Sequence, residues 1–152
     1  MPESGRFIEF DLPEPEALRD KWNVPDQADV SYRAGWKLLM RGRFPEATEA
    51  FGRAVRYNAA HSRARVARSE VQVMLGHAKD AIIEINAALE QYGGDPLLGA
   101  ARGHLYLHED DLDHALECCD IAVRLAPDHA YPRLIAGEAR LALRHGFDSA
   151  EE

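Results

Sequence analysis

Apolar side chains recur along this chain in stripes of helical spacing. Ala47, Phe51, Ala54 and Val55 stand at i, i+4, i+7 and i+8, which is one face of an α-helix. The outline returns at Ala81, Ile85, Ala88 and Leu89, and again at Ala115, Cys119, Ala122 and Val123, each time after 34 residues. Upstream, Gly35, Ser69, Gly103 and Gly137 keep a small residue on the same step for four units. A small residue at that place lets two helix backbones approach closely. Between the two features, "RGRFP" (41–45) predicts a turn: Gly42 breaks one helix and Pro45 suits the first turn of the next. Each unit therefore reads as two antiparallel helices, here A and B. Neither can bury its apolar face alone, so neighbouring pairs must stack.

Those residues resemble the tetratricopeptide repeat family. The 34-residue period, the small residue on helix A, the Gly42–x–Phe44 turn, the helix B alanines and the closing Ala126-Pro127-Asp128 all match its pattern. The resemblance implies an all-α fold, a right-handed α-solenoid of three full repeats plus a partial fourth. Repeats are expected at 28–61, 62–95 and 96–129, with a partial fourth or capping helix over 130–152 and an acidic, proline-containing N-terminal arm over 1–27. Arg68 and Arg102 depart from the pattern, standing where the family places a large apolar residue. The apolar sets Ala64, Ala67, Val71, Leu75; Leu98, Ala101, Leu105; and Ile135, Ala139, Leu143 imply helix A rotated by one residue in repeats 2 to 4.

In the family, partner segments lie in the groove lined by the A helices. Carried onto this chain, the resemblance implies a groove of Tyr32, Trp36 and Met40 from repeat 1 and Val66, Glu70 and Val73 from repeat 2. Repeat 3 adds Leu97, His104, Leu107 and His108, and repeat 4 adds Tyr131, Leu134 and Glu138. Ordinary packing is the competing explanation for the aromatics. Family members that clamp a C-terminal carboxylate use Lys and Asn on the inner face. Here those places hold Tyr32 and Trp36, Val66 and Glu70, and Ala100 and His104, so a clamp of that kind is absent. An apolar or amphipathic protein segment is the implied partner. The implied function is a non-enzymatic adaptor or co-chaperone-like module. The alternatives are a self-assembling scaffold, with homo-oligomers built through an open repeat 4 end, and a metal- or redox-linked regulator.

Charge narrows the partner class. The net charge of −8 opposes a nucleic-acid or anionic-membrane surface, because phosphates need a basic face. Residues 1–27 carry seven acids against three bases, and four prolines there exclude a long helix before about residue 14. That arm reads either as an unordered tail or as a docking segment built on "FIEFDL" (7–12). No apolar run is long enough to insert into a bilayer, and the N-terminus lacks the basic and apolar regions of a signal peptide. The only cysteines, Cys118 and Cys119, are adjacent, a poor arrangement for a structural disulfide, so a cytoplasmic setting is expected.

Candidate chemistry is sparse. His104 and His108 have the i, i+4 spacing of paired metal ligands, but no third ligand accompanies them, and no metal or cofactor is expected. Cys119 occupies the stripe place of Phe51 and Ile85 and reads as a core filler, with Cys118 beside it and more exposed. His61, His77, His114, His129 and His145 fall near turns, where solvated side chains are expected. "HEDDLDHALE" (108–117) lacks the alternating ligands and central glycine of a calcium loop and reads as solvated turn acids. Arg56, Arg63, Arg65 and Arg68 straddle a connection between pairs and are expected to scatter, unless they gather for an anionic partner. At the far end, 131–145 is predicted as helix A of repeat 4, with Gly146 as its C-cap and "FDSAEE" beginning a helix B. Arg133, Glu138, Arg140 and Arg144 can give that end a polar cap; the alternative is a stack that continues.

Overall fold

A computed structural model describes residues 25–150, with side chains described from 25 to 146. The expectation for the arm before residue 25 lies outside the described residues. The fold is an all-α solenoid. Among the described residues seven helices follow one another: α1 Gln27–Met40, α2 Phe44–Tyr57, α3 Ser62–Met74, α4 Ala78–Tyr92, α5 Pro96–His108, α6 Leu112–Leu125 and α7 Ala130–Ala150. The odd-numbered helices are the A helices of the sequence pattern and the even-numbered ones the B helices.

Local chemistry sets the helix ends. Asp26 and Asp95 accept backbone N–H groups at the starts of α1 and α5, and Asp111 does so at α6. Each A-to-B turn closes by the same pair of backbone bonds. Gly42 N–H donates to Leu39 and Arg43 N–H to Leu38; Gly76 and His77, then Asp110 and Asp111, repeat the scheme 34 residues apart. The first residue of each pair is left-handed, with φ of 74° at Gly42, 81° at Gly76 and 59° at Asp110.

Packing follows the stack. One cluster joins Ala47 and Phe51 of α2 to Ala67 and Val71 of α3. A second joins Ala81, Ile85 and Ala88 of α4 to Leu98, Ala101 and Leu105 of α5. A third joins Cys119 of α6 to Ile135 and Ala136 of α7. Each cluster lies between a B helix and the A helix that follows, so no pair owns a complete core. Within pairs, small residues allow close approach. A Cβ placed on Gly35 would stand 2.5 Å from the Phe51 ring, and one on Gly103 would stand 2.5 Å from Cys119 Sγ.

Repeat 2 is built differently. Ser69 replaces the glycine, its hydroxyl donating to the Val66 carbonyl, and Arg68 pairs with Glu84 at 3.1 Å while Gln72 donates to the same carboxylate. Ala64, Ala67 and Val71 are buried and Arg68 only half-buried, the placement a rotated helix A requires.

Three local expectations need correction. Gly146 does not cap α7: it has no left-handed φ, and the helix runs through it to Ala150, so "FDSA" extends helix A instead of beginning helix B. Cys118 is buried as well as Cys119, because α6 packs against both α5 and α7 and its buried stripe is correspondingly wide. His61 is not a solvated turn residue: its Nδ1 accepts from Ala64 N–H, and its ring lies 5.0 Å from that of Tyr32.

Candidate partner-binding groove

Where α1 faces α3, the A helices leave an open groove of ≈ 300 Å³. Tyr32 and Trp36 line it from α1, and Val66 and Glu70 from α3. Leu97, at the start of α5, and Tyr131, at the start of α7, line it as well. The sequence therefore named six residues that meet in one depression. They meet because their positions differ by multiples of the 34-residue step or by one helical turn: 32 to 66, 36 to 70, 97 to 131.

The remaining residues of the sequence-derived set lie elsewhere. Val73 is half-buried and packs against the α4–α5 cluster. Met40 is exposed at the end of α1, and Leu134 is exposed on α7. His104 does not line the groove but is bonded to Glu70, which does, with the His108 ring 4.9 Å from its own. Leu107 is half-buried, and Glu138 is exposed close enough to His104 to act on its charge. Sequence reading missed Leu39, Arg63, Ala67 and His129, which also line the groove. Arg63 was within reach, since it precedes Leu97 by one period. His129 stands in a connection, where the helical pattern carries no signal.

The walls are aromatic and interlocked. Trp36 is 42% exposed, yet its ring packs edge-on to Tyr32 at 6.3 Å and to Phe51 at 6.0 Å. One face of the indole thus holds the pair α1–α2 together while the rest is open. Packing and groove lining, the two explanations for these aromatics, both describe Trp36.

One carboxylate anchors the polar end. Glu70 Oε1 accepts from Tyr131 Oη at 2.6 Å and lies 2.7 Å from His104 Nδ1. Burial alone would push the Glu70 carboxyl upward. The hydrogen bonds from His104 and Tyr131, with the nearby His104 and His108 charges, outweigh it and hold the group below its ordinary value. His104 shows the mirror case: burial disfavours the imidazolium, but the bond to Glu70 and the charges of Glu70 and Glu138 raise it. The Tyr131 hydroxyl is raised by burial first and then by the Glu70 charge. The three groups tie α3, α5 and α7 to one point.

Burial, with the neighbouring Cys118 and Asp120, pushes the Cys119 thiol up to about 12, far from the thiolate form. No cluster of three or more His, Cys, Asp or Glu among the described residues is arranged to hold a metal ion. Among them, too, no helix is long and apolar enough to cross a membrane.

A sequence model of the tetratricopeptide repeat matches residues 38–105. The first TPR domain of the human RPAP3 protein is similar in structure, with a TM-score of 0.67 and 18% identity over 82% of this chain and 98% of that domain. The Sgt2 TPR domain from Aspergillus fumigatus gives a TM-score of 0.70 at 12% identity, covering 84% of this chain and 86% of its own. The first TPR of Spaghetti (RPAP3), solved bound to the HSP90 peptide SRMEEVD, gives 0.63 at 17% identity, covering 78% and 94%. No curated protein sequence matches this one.

Proposed function

This chain belongs to the tetratricopeptide repeat family, a family of protein-interaction modules, and from that premise we propose that it binds an apolar or amphipathic protein segment in the α1–α3 groove. Repeats at 28–61, 62–95 and 96–129, with a partial fourth from 130, supply the frame for this reading. The observation that carries it is the half-exposed Trp36, held edge-on by Tyr32 and Phe51 above an apolar floor of Val66 and Ala67. Rigid aromatics that keep open surface are the groups on which binding energy concentrates.

The reading is of binding, not catalysis. The groove's carboxylate, Glu70, is spent on His104 and Tyr131 and orients helices. A reducing, cytoplasmic setting is consistent with two free, buried cysteines. A structural neighbour was solved bound to the HSP90 peptide SRMEEVD, an acidic segment. Here Tyr32, Trp36, Val66 and Glu70 present aromatic, apolar and acidic surface in its place, so a segment led by apolar side chains suits the groove better.

The test is a selection of displayed peptides on the folded protein, followed by titration of the selected peptides. Trp36→Ala should weaken them by about 2 kcal/mol, roughly thirtyfold, with helicity intact. SRMEEVD should bind more weakly than the selected peptides. Selected peptides indifferent to Trp36→Ala would remove the groove from the function. Loss of helicity in the variant would move Trp36 to the core.

A further inference from the structure

The glycines at the repeat's small position are not equivalent. Gly35 and Gly103 sit beneath a side chain of the following B helix, Phe51 and Cys119 respectively. Around Gly137, one period further on, a Cβ would meet nothing within 4 Å. A glycine inside a helix costs about 1 kcal/mol against alanine, and among the described residues no neighbour requires one there. The slot that a B helix fills in repeats 1 and 3 is open in α7.

The surroundings of the slot are apolar on one side and basic on the other. Leu134 and Leu141, three residues before and four after Gly137, are 58% and 55% exposed. Arg133, Arg140 and Arg144 fall within roughly 40° of one another round the helix. All three are exposed, and only Arg140 has a described partner, Asp120 at 2.6 Å. α7 does not fold back to cover this face. The other A helices turn at Gly42, Gly76 and Asp110, whereas α7 passes the equivalent Arg144 and continues to Ala150.

We propose that this face of α7 docks an acidic amphipathic helix of another protein, seated as α6 is seated on α5, with an apolar side chain over Gly137. Repeat 3 shows where the acids would fall. A Cβ on Gly99 would lie 3.7 Å from Ala122 Cβ, and the Tyr106 ring lies 5.5 Å from His114. Gly99 and Tyr106 precede Arg133 and Arg140 by one period. A helix docked in the α6 manner therefore brings its residues three after and five before the apolar knob onto Arg133 and Arg140. Carboxylates at those two places complement the arginine edge. The surface is separate from the α1–α3 groove and stands whether or not the groove binds.

A side-chain-stapled helical peptide copy of residues 112–125 is the probe, carrying Cys118→Ala, Cys119→Leu, His114→Glu and Ala122→Glu. A second peptide carries lysine at the last two places. In amide spectra of the full chain, the acidic peptide should shift Leu134, Gly137 and Leu141, and the lysine peptide should bind at least tenfold more weakly. A Cβ on Gly137 meets no described neighbour within 4 Å, so Gly137→Leu should fold normally, as its circular dichroism will show, and abolish the shifts. The proposal is overturned by no shift at Gly137 up to about 1 mM peptide, by equal binding of the lysine peptide, or by binding that survives Gly137→Leu. Concentration-dependent shifts at Gly137 without peptide would assign the face to a second copy of the chain and overturn it as well.

Discussion

At the scale of single residues, the chain repeats a backbone requirement more faithfully than it repeats the residue that meets it. Gly42, Gly76 and Asp110 share a left-handed conformation and the same pair of closing backbone bonds, but only the first two have the side chain that conformation favours. Asp tolerates it better than most residues but less readily than glycine. Asp110→Gly should therefore raise stability by about 0.5–1 kcal/mol, the relief of the left-handed strain less the greater entropy glycine brings to the unfolded chain. Chemical denaturation read by circular dichroism measures it. A loss of stability would mean that the aspartate makes an interaction beyond its backbone geometry. The 34-residue step predicted the turn here, while "HEDDLDHALE" concealed it, because the glycine that marks the other two turns is missing.

At the scale of elements, the four small positions divide into kinds that sequence does not distinguish. All four read as places of close helix approach. Of the three glycines among them, Gly35 and Gly103 have a side chain of the partner helix pressed over them and Gly137 has no described neighbour there. Gly35→Ala would drive a methyl to within 2.5 Å of the Phe51 ring, and since Phe51 is fully buried, α1 and α2 must separate. A cost of about 2–3 kcal/mol is expected. Gly137→Ala should instead stabilise by up to about 1 kcal/mol, because only helix propensity changes there. Paired urea titrations give both numbers, and equal effects would contradict the difference in packing. The helices themselves were legible because the apolar stripes have one period throughout, and even the rotation of α3 could be inferred from Arg68. The length of α7 was not legible: Gly146 is a C-cap only where the chain adopts a left-handed φ, and residue type alone does not dictate that.

At the scale of the whole molecule, the core among the described residues is carried by three clusters, two of which share Tyr131, and the inner face adds a polar connection between repeats. The Glu70–His104–Tyr131 clasp provides one, joining residues 61 positions apart in sequence across α3, α5 and α7. Half of it was legible, since Glu70 and His104 share a repeat position. Tyr131 reaching back two A helices was not, because the fold alone brings the start of α7 beside α3. The clasp makes stability depend on pH in two opposite senses. His104 is raised in the folded state, so its contribution is full below the ordinary histidine value of 6.5 and fades as pH rises through the raised one. Glu70 is lowered, so its contribution is full above the ordinary value of 4.5 and fades as pH falls through the lowered one. Stability from the clasp is therefore greatest between those ordinary values. Glu138 is the other acid that raises His104, and the charge of His108 helps to lower Glu70. His104→Gln keeps a hydrogen-bonding side chain but cannot take up a proton. The variant should lose most stability relative to the parent near pH 5.5 and least near pH 9, by a difference of about 1 kcal/mol. Denaturation curves at the two pH values decide the matter, and a gap independent of pH would mean that His104 serves the clasp through its shape alone.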